Sequence, residues 1–100
     1  MTQTAATPEQ AAALTELLER WKLELDRLMA YPDPSQDTAT RLNHSRRMLV
    51  NYRRVLKGDL AEGIEKVPAA ELFRAISTAE ASLKQLSGLE ASLSRGRSGA

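Results

Sequence analysis

The sequence predicts an all-α fold: a helical hairpin completed by a third helix into a three-helix bundle, with a short connector before the third helix. Three observations predict it. The apolar content is dominated by 15 Leu and 15 Ala, against 3 Val, 2 Ile and 4 aromatic residues. Leu and Ala favour helices, whereas Val, Ile and aromatics favour strands. Apolar residues recur at three- and four-residue intervals over three long stretches, the period of a helix with one buried side. Clusters of Pro and Gly separate those stretches and mark turns.

The first helix is expected over about residues 8–30, after a disordered segment 1–6. Thr7 suits its N-cap, Pro8 its first position and Gln10 the third place of a capping box. On a wheel of about 100° per residue, Leu14, Leu17, Leu18, Trp21, Leu25, Leu28 and Met29 fall within one arc of about 120°. Leu23 lies opposite that arc. Tyr31-Pro32-Asp33-Pro34-Ser35 ends the helix, because two closely spaced prolines cannot continue it.

The second helix is expected over about 37–57, capped by Asp37 or Ser35 and ended at Gly58. Its apolar arc holds Leu42, Met48, Leu49, Tyr52, Val55 and Leu56, interrupted by Arg41 and Ser45. Residues 58–67 read as a connector with one or two helical turns, since Leu60, Ile64 and Val67 are helically spaced but two glycines and Pro68 keep any helix short. The third helix is expected over about 69–93. Its seam of Leu72, Ile76, Ala79, Leu83 and Leu86 is as narrow as that of a coiled coil. Gly88 weakens its last turns, the single domain closes near residue 94, and residues 95–100 read as a disordered tail.

Composition removes several function classes. Without cysteine, disulfide frameworks, thiol catalysis and zinc–thiolate sites are excluded. No basic start with an apolar run resembles a signal peptide, and no stretch approaches the roughly 18 apolar residues of a membrane span. A cytoplasmic protein without membrane contact is therefore expected. The single His44 stands among Arg41, Arg46 and Arg47 with no carboxylate within four residues, so it reads as a surface side chain rather than a general base. Glu16–Arg20, Glu62–Lys66 and Glu80–Lys84 are acid-first i,i+4 pairs that support helix surfaces. The serines at 77, 82, 87, 92 and 94 lack a Lys or His arrangement suited to activating a nucleophile. No catalytic, cofactor-binding or metal-binding residue is assigned, and the expectation is a protein that is not an enzyme.

The net charge of +1 conceals a segmented pattern. Residues 1–37 hold 3 basic and 7 acidic residues, residues 38–58 hold 6 basic and none acidic, and residues 59–90 hold 3 basic and 6 acidic. Arg46, Arg47, Arg53, Arg54 and Lys57 share one side of the second helix, an arc of about 120° beside its apolar residues. Two readings follow. The arginines pair with the acidic first and third helices and so fix helix order. Alternatively they form a phosphate-binding face for nucleic acid, with Asn43 and Asn51 beside them and Tyr52 for stacking.

The helix, proline turn and second helix resemble in outline the small helical-hairpin subunits and co-chaperones of type III secretion. The resemblance spans about half of the chain, rests on the fold alone and gives no residue a role. The leading functional reading is a small interaction protein, such as an adaptor, co-chaperone or assembly subunit. Its candidate partner surface is Leu23, Phe73, Leu89 and Leu93, the apolar residues off the three stripes. A homodimer is favoured, in which third helices pair about a two-fold axis through Phe73, Leu89 and Leu93. The alternative is nucleic-acid binding through the basic second helix.

Overall fold

The computed structural model describes residues 4–98. Three helices account for most of them: α1 (Pro8–Met29), α2 (Gln36–Glu62) and α3 (Ala69–Ser98), with a single 3₁₀ turn, Ile64–Lys66, between the last two. The described residues are 86% helical and contain no strand; an isolated antiparallel bridge joins Ala5 and Pro68. The three-helix arrangement forms a rod of 59 × 19 × 18 Å. No described helix is long and apolar enough to cross a membrane.

Local chemistry sets the helix starts. The Thr7 side chain accepts from the Gln10 backbone N–H, and the Gln10 side chain accepts from the Thr7 N–H, a reciprocal box ahead of Pro8. Ser35 caps α2 by accepting from the Thr38 N–H. Between the two helices Asp33 has φ 49°, a left-handed conformation that Asp tolerates better than most residues.

α1 and α3 run parallel, with the most extensive packing in the molecule between them. They are tied at both ends. At one end the Ala6 N–H donates to the Val67 carbonyl (2.7 Å) and the Ala69 N–H to the Thr4 carbonyl (2.9 Å). At the other, Arg27 of α1 binds Glu90 of α3 and also Glu24 at 2.6 Å. The Arg27 guanidinium holds the Glu90 carboxyl below the usual carboxylate range. α2 runs antiparallel to both. The core is Leu14, Leu18, Trp21, Leu25 and Leu28 of α1, Leu42, Leu49 and Leu56 of α2, and Leu72, Ala75, Ala79, Leu86 and Leu93 of α3, with Val67 from the connector. In α3 the small Ala75 and Ala79 lie in succession between Leu72 and Leu86 on the buried face, which permits close helix approach.

Three boundaries and the surface ion pairs differ from the sequence expectation. Thr4–Ala6 are hydrogen-bonded to the start of α3, and Ala6 is buried, so that part of the 1–6 segment is structured; residues 1–3 lie outside the described residues. α2 continues through Gly58 to Glu62. The residue that stops it is Gly63, at φ 117° and ψ 129°, a conformation that side chains resist. α3 continues through Gly88 to Ser98, so residues 95–98, expected in the tail, are helical; residues 99 and 100 lie outside the described residues. The expected exposed pairs are replaced by Lys22–Asp26 and Asp37–Arg41, both i,i+4 at 3.0 Å.

The two connector glycines make opposite predictions. A Cβ at Gly58 or at Gly88 meets nothing within 4 Å, and both sit inside helices. Gly58→Ala and Gly88→Ala should each stabilise the protein by about 0.5–1 kcal/mol, a rise of a few degrees in Tm. Gly63→Ala should lower stability by about 1–3 kcal/mol through its backbone conformation. Thermal melts of the three variants check this. A lower Tm for Gly58→Ala would place the end of α2 at Gly58 after all.

Candidate nucleic-acid interface

α2 is held in the bundle by a thin stripe. Its buried apolar residues are Leu42, Leu49 and Leu56, seven residues apart, with Thr38 buried one turn before them. The stripe leaves most of the helix circumference outside the core. Ser45, which interrupts the apolar arc, has a structural role: its Oγ accepts from Trp21 Nε1 at 2.8 Å. Tyr52 packs near Trp21, with ring centroids 6.3 Å apart. It is half-buried, so it is not the stacking platform that its place in the sequence suggested. Arg41, the other interruption, is exposed and binds Asp37.

Arg46, Arg47, Arg53, Arg54 and Lys57 are all exposed. Arg53 reaches Glu19 of α1 at 3.5 Å, and Arg54 donates to the Asn51 side-chain oxygen at 3.3 Å. Among the described residues, Arg46, Arg47, Arg54 and Lys57 make no ion pair. The expected pairing with acidic neighbours is therefore realised at one of the five cations. A shallow depression on this side of α2 is lined by Asn43, Arg46, Arg47, Val50, Asn51 and Arg54. Val50 belongs to this face and is 59% exposed. Its position between Arg46–Arg47 and Arg53–Arg54 in the sequence was the available sign of that.

The candidate apolar surface does not form one patch. Leu93 is buried, at 6% exposure, and Leu89 packs half-buried against the core. Both continue the α3 seam by one further turn each, because the helix does not fray after Gly88. Leu93 is thus withdrawn from the candidate partner surface, and Leu89 with it, and the pairing of third helices loses two of its three residues. Leu23 and Phe73 remain, each 66% exposed. They lie on different helices, separated by about 20 Å along the rod at 1.5 Å per residue.

A second cleft of about 790 Å³ lies between the first half of α2 and the second half of α3, where His44, Ser45, Met48, Ser82, Leu86 and Ser92 are among the lining residues. His44 is exposed there, and Asp37, the carboxylate of the same cleft, is bound to Arg41. Among the described residues no group of three or more His, Cys, Asp or Glu side chains is placed to hold a metal. Compared with known proteins, the chain matches no family model, no curated protein and no solved structure.

Proposed function

We propose that this chain is a non-enzymatic binding protein that takes nucleic acid on the outward face of α2. The observation that carries the reading is that five cations share one exposed side of a single helix while only one of them meets a carboxylate. Phosphates attract such a face through counterion release. Acidic α1 and α3 are the argument against it, and distance weakens that argument. Glu19 of α1 stands at the edge of the face, 3.5 Å from Arg53, whereas carboxylates on the far sides of α1 and α3 lie a helix diameter, about 10 Å, behind α2. That is about one Debye length at 0.1 M salt. Carboxylates there are screened from a ligand on the front of α2.

Salt dependence tests the proposal. Four unpaired cations contacting duplex phosphates give a slope of log K against log salt of about −3.6. Affinity should then fall about 150-fold between 50 and 200 mM salt, read by fluorescence anisotropy of a labelled oligonucleotide. A slope near zero, or no binding at 50 mM, removes the proposal.

Protein–protein contact is the second reading, favoured by the exposure of Leu23 and Phe73. Its partner would touch one of them at a time or span about 20 Å of the rod. Pull-down with Leu23→Glu and Phe73→Glu as controls separates the readings, since neither substitution touches the α2 face.

A further inference from the structure

We infer that the nucleic acid is a DNA double helix, with α2 lying in its major groove. This rests on the reading of α2 as a nucleic-acid face and adds the form of the ligand. The argument starts from how the cations are distributed around the helix. With Leu49 at the centre of the buried stripe, Val50 and Asn43 point about 100–120° away from it, at about 100° per residue. Arg46 and Lys57 fall about 20–60° to one side of that line, and Arg47 and Arg54 about the same to the other. The face is therefore two rows of cations flanking a central uncharged line. A single strand offers one phosphate track. The major groove of a duplex offers two, one on each wall, with base edges between them.

Dimensions agree. From Asn43 to Lys57 the face runs about 21 Å, and an α-helix with its side chains is about 10–12 Å across. The major groove of B-DNA is about 12 Å wide and admits a helix. Asn43, Val50 and the flanking cations are all exposed, so this side of α2 is open to a ligand. On the central line, Asn43 carries an amide able to pair with an adenine edge, and Val50 is an apolar side chain suited to a thymine methyl.

The alternatives lack what they require. Single-strand binding relies on exposed aromatic side chains as stacking platforms. Here Trp21 is fully buried, Tyr52 is half-buried beside it, Tyr31 packs half-buried against the core after α1, and the exposed Phe73 lies on α3. Duplex RNA has a deep, narrow major groove that side chains cannot read.

The experiment compares three labelled ligands with the full chain at 50 mM salt: a mixed-sequence 20-base-pair DNA duplex, one of its single strands, and the RNA duplex of the same sequence. Anisotropy should show the DNA duplex bound at least tenfold more tightly than either of the others. Methyl green, which occupies the major groove, should displace the protein, and distamycin, which occupies the minor groove, should not. Equal or tighter binding of the single strand or of RNA overturns this inference while leaving phosphate binding by α2 intact. Displacement by distamycin instead of methyl green overturns the groove assignment. No binding of any ligand overturns both the inference and the reading beneath it.

Discussion

Trp21→Ala is expected to cost about 3–5 kcal/mol, a large fraction of the stability of the whole protein. Domains of this size have a total stability of about 5–15 kcal/mol. Trp21 is 0% exposed and sits mid-way along α1. It meets α2 through Ser45 and Tyr52. Removing the indole opens a cavity where the helices meet, and their backbones cannot collapse into it without shifting the whole rod. Trp21→Phe keeps most of the apolar volume and should cost less. Ser45→Ala isolates the polar part of the effect. It leaves a buried indole N–H without its acceptor, at about 1–3 kcal/mol. Urea melts followed by far-UV circular dichroism measure all three, since Trp21 is the only tryptophan and its fluorescence disappears with it. A Trp21→Ala midpoint within error of the parent would mean that the α1–α2 contact is not centred on this residue.

Trp21 and Ser45 also show what the sequence could and could not reveal. The α1 stripe was legible because an apolar period of 3.6 is local information, and all of its buried leucines follow from it. The N-terminal box was legible for the same reason. Ser45 looked like an imperfection in the α2 arc, because a lone polar residue gives no sign of which distant donor it serves. Thr4–Ala6 carry no periodic signal, and their order comes from hydrogen bonds to residues 67 and 69, a purely non-local cause. Gly58 and Gly63 are two glycines of one segment, and composition cannot say which takes φ 117°. Leu93 was misplaced for a related reason: Gly88 weakens a helix by only about 1 kcal/mol, and burial of Leu89 and Leu93 along the α3 seam offsets that. At the candidate site, residue type and helix side were both legible in the sequence. Whether the arginines faced solvent or acidic helices was not, since it depends on the relative rotation of packed helices.

Replacing Arg46, Arg47, Arg54 and Lys57 together with alanine is expected to weaken nucleic-acid binding on the order of a thousandfold at 0.1 M salt. Each counterion released at that concentration contributes about a factor of eight to affinity, and four such factors multiply to a few thousand. The salt slope should fall to near zero at the same time, because about 0.9 of a unit is lost with each phosphate contact. Stability should change little, since all four side chains are exposed and none is in an ion pair. Alanine is a good helix former, so α2 itself is not weakened. Net charge is controlled by a second variant, with Arg20, Lys22, Lys66 and Lys84 replaced by alanine. It changes the total charge by the same amount but leaves α2 untouched. Long-range attraction to the whole molecule predicts equal losses in the two variants; a face on α2 predicts a loss confined to the first. Anisotropy titrations of both variants at two salt concentrations, beside a thermal melt of each, decide between these outcomes. Equal weakening in the two variants would reduce the α2 face to a share of the overall charge and remove it as a binding site.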